Sequence, residues 1–271
     1  MADFVHYVRR RLAQPNYLDP GDPWFAANPP DGQGFLAPAF HVTRQRGYPA
    51  DRVRRGDTIW LFSQLATPWG PLPPALDACI HVEFVTEQEV RVKAGLRCAW
   101  RFVAAPGSMW FPLARADKCL SVLKVRDKGQ DASRKLMPGN TRTVGQALQG
   151  MRLIDNPDVL HRHVADLELR GFDFISYRLI DGTRQAFDTV RALLDGGRPV
   201  FWDRWSLPRR IAERREFVCD ADLDAVLMHH IDTATRTHVI DSPRYGEAGS
   251  YSRREFERIP PEKRVMVRRD G

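Results

Sequence analysis

The stretch from Gly171 to the C-terminus constrains this chain most, because short apolar runs alternate there with segments of helical periodicity. Gly171–Tyr177 (GFDFISY), Pro199–Trp202, Thr237–Asp241 and Val265–Val267 read as strands. Between the first two, Ala186, Phe187, Val190, Leu193 and Leu194 recur at helical spacing, with Asp181 as the expected cap and Gly196-Gly197 as the stop. Between the next two, Leu223, Val226, Leu227, Ile231 and Ala234 mark one face of a longer helix, and a short helix follows from about Ser250. Strand–helix alternation of this kind predicts an α/β unit with a parallel sheet flanked by helices. Ligands of such open sheets bind beyond the carboxyl ends of the strands. Here those ends carry Ser176-Tyr177-Arg178, Asp203-Arg204-Trp205 and Asp241-Ser242-Pro243.

The first part of the chain has a different texture. Arg55-Gly56-Asp57 is a turn signal leading into the β-branched and aromatic run Thr58–Phe62. Pro68–Pro74 is a proline-rich loop around Trp69, Ala78–Val85 and Val90–Val92 read as two further strands, and residues 15–38 are loop. The expectation is a mainly β domain, a small barrel with decorated loops. At 271 residues there is room for two units at ~100–200 residues each. The boundary falls near 140–165, giving a basic β domain over 1–150 and an α/β domain over 165–271.

The net charge of +7 lies entirely in residues 1–150, and residues 151–271 balance. The excess is densest in Lys118–Arg142, where Lys118, Lys124, Arg126, Lys128, Arg134, Lys135 and Arg142 face only Asp127 and Asp131. Such a run can track a phosphate backbone, which makes nucleic acid or a nucleotide the expected partner; the alternative is a solvated loop. Trp24, Trp60, Trp69, Trp100 and Trp110 share this part. They form either a stacking platform for bases, with Trp69 the best placed, or core.

No apolar run approaches the ~20 residues of a membrane span, and the N-terminal residues lack the apolar core of a secretory signal. Cys79, Cys98, Cys119 and Cys219 have no C-x-x-C spacing, so neither a zinc site nor a disulfide framework is expected, and a cytoplasmic setting fits. His161-Arg162-His163 lacks acidic or cysteine partners at metal-binding spacing, the adjacent His229 and His230 inside the longer helix face different directions, and no metal is assigned.

Phe174-Ile175-Ser176-Tyr177-Arg178, Val200-Phe201-Trp202-Asp203, Asp241-Ser242-Pro243-Arg244-Tyr245 and Ser250-Tyr251-Ser252-Arg253-Arg254-Glu255 together resemble a Toll/interleukin-1 receptor (TIR) domain, in order and in spacing. The resemblance runs from Asp173 to the C-terminus and implies a flavodoxin-like parallel sheet. More weakly, Arg54 to Val85 resembles the EVE and PUA-like barrels, many of which bind RNA or modified bases. Many prokaryotic TIR domains cleave NAD in antiphage defence, are fused to a sensing domain and act as homo-oligomers. By resemblance, NAD is then a substrate rather than a cofactor, and Glu255 is the catalytic glutamate. Ser176, Tyr177, Arg178, Asp203, Trp205, Ser250 and Tyr251 would bind the substrate: Tyr177 and Arg178 at its phosphates or base, Asp203 at ribose hydroxyls, Trp205 stacked on a ring or else closing the core.

Breaking the nicotinamide–ribose bond expels a neutral leaving group and develops an oxocarbenium ion, which one carboxylate can stabilise or capture. The products would be nicotinamide with ADP-ribose or its cyclic form. Alone, the run S-R-R-E-F-E-R around Glu255 reads as an exposed amphipathic helix. Tyr251 and Ser252 stand where the family usually has tryptophan and cysteine, and the segment after Asp203 lacks a common glycine. The sequence stops after the fourth strand, where the family adds another helix and strand, so the sheet is expected to be completed by N-terminal segments or a neighbouring subunit. The competing readings are a non-catalytic adaptor that recruits other TIR domains and a nucleic-acid-binding protein.

Overall fold

The computed structural model describes residues 1–11, 37–92, 95–127, 129–130, 132–137, 143–206 and 220–268. It has a mixed α/β fold with one large, mainly antiparallel sheet and one separate parallel sheet.

The large sheet is built from β1 (Asp3–Arg11), β2 (Phe40–Thr43), β3 (Thr58–Thr67), β4 (Gly70–Pro71), β5 (Ala75–Val92), β6 (Gly95–Ala104), β7 (Met109–Trp110), β8 (Lys124–Arg126), β9 (Arg134–Lys135) and β10 (Arg152–Ile154). Its main path runs β2-β6-β5-β3-β1-β10-β8-β9. Strand alternation places two apolar sets on opposite faces. Phe4 and Val8 of β1 join Ile59 and Leu61 of β3, Ala78, Ile80 and Val82 of β5 and Phe102 of β6 in one core. Val5, Trp60, Phe62 and Cys79 point the other way. Helices α1 (Asp117–Val122), α2 (Val144–Ala147) and α3 (Asp158–Arg170) supply Cys119, Leu120, Val144, Ala147, Leu160 and Leu167 to that second core. With both faces covered there, β5 is buried at every position from Ala75 to Ile80.

A register shift between Val82 and Phe84 breaks the β5–β6 ladder, and bulges of this kind bend a strand. The sheet curls, so that His6 on β1 meets His41 on β2 across four strand steps, Nδ1 to Nε2 at 2.8 Å. Among the described residues the ends of the ladder, β2 and β9, do not pair with each other, so the barrel expected from sequence is a curled sheet. Val90–Val92 is the far end of β5 rather than a separate strand. The proline-rich loop contributes β4, which pairs back on β3. The boundary also moves. β10 belongs to the first sheet and α3 to its core, so the first unit runs through Arg170 and ends at Gly171, whose φ of +60° suits glycine. Residues 12–36, including Trp24 and most of the expected loop, lie outside the described residues.

The second sheet comprises β11 (Asp173–Ser176), β12 (Val200–Phe201), β13 (Arg236–Ile240) and β14 (Arg264–Val267), all parallel, in the order β12-β11-β13-β14. Helix α4 (Leu179–Asp195) brings Ala186, Phe187, Val190 and Leu194 against Ile175 and Val200 on one face. On the other, Val226, Leu227 and Ile231 of α6 (Asp220–Thr233) pack with Phe174, Phe201 and Val239. Neighbouring residues Phe174 and Ile175 thus feed opposite layers, as strand alternation requires. The short α5 (Asp203–Ser206) follows β12, and α7 (Tyr251–Arg258) is capped by Ser250, whose hydroxyl accepts from the Arg253 amide at 3.2 Å. Asp181 does not cap α4. Its carboxylate accepts from the Ser242 hydroxyl at 2.7 Å and the Arg244 amide at 2.9 Å, which pins the loop after β13. Among the described residues no helix is long and apolar enough to cross a membrane.

The two sheets share a core. Leu113 and Val200 exchange both backbone hydrogen bonds, each 2.8 Å, so the first unit meets the parallel sheet at its β12 edge. Around that bridge Leu65, Leu72 and Ala75 join Phe187, Trp202 and Trp205 in one cluster, and Arg115 reaches Asp195 at 2.8 Å. Trp69 packs here, 5.2 Å from Phe187 with Arg184 over its ring, rather than on an open platform. Trp60 is buried, its Nε1 donating to Asp3 at 2.8 Å. A shared core predicts joint unfolding. Leu113→Ala should cost about 2–4 kcal/mol, and denaturation followed by tryptophan fluorescence and by far-ultraviolet circular dichroism should give coincident transitions; two separate transitions would contradict the shared core.

Candidate functional site

The strand order reverses beside β11, whose two neighbours are reached by connections running in opposite directions. Such a switch point opens a crevice at the carboxyl ends of the strands. Ser176 ends β11 there, fully buried, and donates to Glu255 Oε2 at 2.6 Å. The Tyr245 hydroxyl lies 2.8 Å from the same Ser176 oxygen. Because serine has one hydrogen, already given to Glu255, Tyr245 is the donor in that contact. The result is a directed chain from Tyr245 through Ser176 to the carboxylate. Burial pushes the Tyr245 phenol well above its usual value, the Glu255 charge adds to this, and the Ser176 contact acts in the opposite direction. Tyr245 is therefore a protonated, fixed donor.

Helix α7 explains why Glu255 points inward. Its Ser250 cap sets the first turn, and the spacing of three puts Ser252 and Glu255 on the buried side while Arg253 pairs with Glu257 on the outside at 2.6 Å. Glu255 is only 7% exposed, so it is not the surface side chain that the S-R-R-E-F-E-R run reads as when taken alone. A buried carboxylate is costly unless hydrogen-bonded, and the Ser176 hydroxyl meets that need.

Glu255 lines a cavity of about 140 Å³ with Asp203, Tyr177, Arg178, Tyr251 and Ser252. Phe174, Ile175, Leu179 and Leu227 form its apolar walls. The Tyr177 hydroxyl donates to Asp203 Oδ1 at 2.5 Å, and the Arg204 amide donates to the same oxygen at 2.7 Å. Desolvation dominates at Asp203 and raises its pKa; the Arg204 charge and these hydrogen bonds pull it back only in part. Arg178 extends to Glu247 at 3.1 Å, and Arg244 holds the same carboxylate at 2.8 and 3.0 Å. Two acids therefore face one small space, one fixed by a hydroxyl chain and one held against its own ionisation.

Of the residues singled out from sequence, Glu255, Tyr177, Arg178, Asp203 and Tyr251 come together at this cavity. Ser176 stands behind them and orients Glu255. Ser250 is a helix cap, bonded to the Glu247 carbonyl at 2.6 Å and to Arg253. Trp205 is fully buried and closes the core shared by the two sheets, so stacking on a ligand is not its place. Sequence reasoning names Ser252 and Tyr245 only within motifs and Leu227 only on a helix face, and gives none of the three a place in the site. The position of Ser252 one turn before Glu255 was the available signal for the first of them.

The basic stretch divides. Arg126 pairs with Asp155, and Asp127 accepts from Arg134 at 2.5 Å and from Arg152 at 3.4 Å. Lys124 is exposed, whereas Lys118 and Lys135 border a separate cavity. Lys128, Asp131 and Arg142 lie outside the described residues. Cys79 and Cys119 are buried free thiols, pushed up to about 12 by desolvation and so unreactive. Among the described residues no three His, Cys, Asp or Glu side chains gather as metal ligands would.

The raised pKa of Asp203 makes a stability prediction with a definite sign. A carboxyl whose pKa is higher folded than unfolded favours the native state at low pH and loses that contribution as pH rises through the folded value. Asp203→Asn keeps the shape and removes the ionisation. It should raise the melting temperature at pH 8 by about 2–4 °C, the size of ~1 kcal/mol in a chain of this length, and the gain should vanish below the ordinary carboxylate range. Thermal melts of both proteins across pH measure this; a variant less stable than the parent at pH 8 contradicts it.

Comparison with known proteins leaves the site to its own geometry: no family model matches the chain, and no curated protein and no solved structure matches it.

Proposed function

We propose that the parallel-sheet unit is a TIR-type, NAD-cleaving effector governed by the basic first unit, acting in antiphage defence as a homo-oligomer. The observation that carries this reading is the buried Glu255, oriented by Ser176 at the switch-point cavity and facing it together with Asp203. The chemistry needs little else. The bond between the ribose carbon and the nicotinamide nitrogen breaks, and its electron pair leaves with neutral nicotinamide. Positive charge builds on the sugar, where the Glu255 carboxylate stabilises it without reorganising, because the chain from Tyr245 through Ser176 already fixes its direction. Water, or an adenine nitrogen of the same molecule, then attacks the sugar carbon. In this reading Asp203 accepts ribose hydroxyls and Arg178 meets the diphosphate as it leaves the cavity, which both residues line.

The cavity volume of about 140 Å³ suits one ring of the dinucleotide, and the rest extends across the mouth. That geometry favours an oligomer in which a neighbouring copy covers the exposed half of the substrate.

Incubation of the purified protein with NAD, followed by chromatography of nicotinamide, tests the proposal. Glu255→Gln, which preserves the size of the side chain, should reduce nicotinamide release by about 10²–10³-fold or more with the melting temperature little changed. Ser176→Ala should reduce it less, through loss of orientation. Turnover undiminished in Glu255→Gln removes the catalytic assignment. A wild-type protein that binds other TIR domains without releasing nicotinamide, alone or with nucleic acid added, is an adaptor.

A further inference from the structure

A second cavity, of about 510 Å³, lies wholly in the first unit and is larger than the one at Glu255. Four separate elements converge on it: Pro74 just before β5, α1 with Lys118, Leu120 and Ser121, β9 with Lys135, and α2 with Val144. Backbone hydrogen bonds fix these pieces to one another. The Ala116 amide donates to the Pro74 carbonyl and the Leu136 amide to the Leu123 carbonyl, both at 2.8 Å. The volume falls within the ~300–1,000 Å³ usual for small-molecule sites.

The lining has two chemical parts. Leu120, Val144 and Pro74 are buried side chains that present an apolar floor, joined by the half-buried Met137. Lys118 and Lys135 are exposed at the rim, and among the described residues neither makes an ion pair. Among the described residues the one carboxylate in the lining, Asp117, is held by Arg115 at 2.9 Å. Two ammonium groups that make no ion pair among the described residues, over an apolar floor, match a ligand with a phosphorylated end and a flat ring. Compact ammonium groups serve phosphate as point charges, without the planar fork that a carboxylate would favour.

The neighbouring charges argue against a polymer. Arg126 and Arg134, which would extend a phosphate track from Lys135, are instead engaged by Asp155 and Asp127. Among the described residues of this stretch, the lysines without an ion pair are Lys118 and Lys135 at the cavity and Lys124, which faces Lys135 across the β8–β9 pair. We infer that this cavity binds a nucleoside mono- or diphosphate, its phosphates between Lys118 and Lys135 and its base on Leu120, Val144 and Met137. The inference deepens the sensing role proposed above for the first unit and rests on that reading for its consequence, since Leu113, four residues before α1, bridges to the strand that delivers Asp203.

Isothermal titration of the full chain with ADP, GDP, CDP and UDP tests it, with adenosine, inorganic pyrophosphate and a 20-nucleotide single strand as controls. The expected result is one site per chain for at least one of the diphosphates, with adenosine and pyrophosphate each at least about tenfold weaker. Each lysine should contribute about tenfold or more, so Lys118→Gln with Lys135→Gln should weaken binding about a hundredfold at unchanged melting temperature. Glu255→Gln should bind these ligands as the parent does, which separates this site from NAD turnover: loss of turnover alone counts against the effector reading and leaves the cavity standing. Absence of diphosphate binding at millimolar concentration, binding unaltered in the double lysine variant, pyrophosphate as tight as any nucleotide, or binding confined to the oligonucleotide would each overturn it.

Discussion

Burying the Glu255 carboxylate is the constraint on which the second unit is organised. An ionised carboxyl loses several kcal/mol of hydration when it is taken from water, unless hydrogen bonds replace the lost solvent. The Ser176 hydroxyl does so at 2.6 Å, which requires that the end of β11 and the inner face of α7 be held in register. The intervening loop provides this. Asp181 binds Ser242 and the Arg244 amide, Glu247 is held by Arg244 and Arg178, and Ser250 ties the start of α7 back to the Glu247 carbonyl. Each contact is local and modest. Together they deliver one acid to the switch point of the sheet.

The second acid arrives by another route. Asp203 follows β12, the edge strand whose Val200 is bonded on its outer side to Leu113 of the first unit. The position of Asp203 therefore depends on how the curled sheet docks, whereas that of Glu255 depends on the parallel sheet alone. A change in the segment from Met109 through α1 reaches Asp203 through two backbone hydrogen bonds and the core around Trp202 and Trp205. Packed cores transmit displacements rather than absorb them. The physical link between the two units thus ends on a residue of the candidate site.

Much of this second unit is legible in the sequence because its signals are local. Four apolar runs, two periodic helices and the serine cap of α7 sit where their residue patterns place them. What is not legible depends on distant partners. Asp181 looks like the cap of α4, yet its partners lie on the loop after β13. Trp69 looks exposed in a proline-rich loop, but Phe187, far along the chain, covers it. The S-R-R-E-F-E-R run is charged at most positions, and only the depth of the sheet beneath shows that its fourth residue is buried. In the first unit the polar run Thr86–Glu89 hides the continuity of β5, and covered faces on both sides blur the alternation of β1, which leaves it unassigned by pattern alone.

Two acids around one small cavity bear on the occupant proposed above. Desolvation at Asp203 outweighs the groups that favour its ionised form, so ionising it carries an electrostatic penalty there. Among the described residues the packing does not require it: an amide of the same shape could accept from the Tyr177 hydroxyl and the Arg204 amide. A penalty that the fold itself does not need is relieved when positive charge enters the cavity, and the relief grows with that charge. A neutral substrate gains little from such a site and a cationic one gains more. A sugar that becomes cationic only as its bond breaks gains most at that moment, which is the condition for rate enhancement rather than for tight binding.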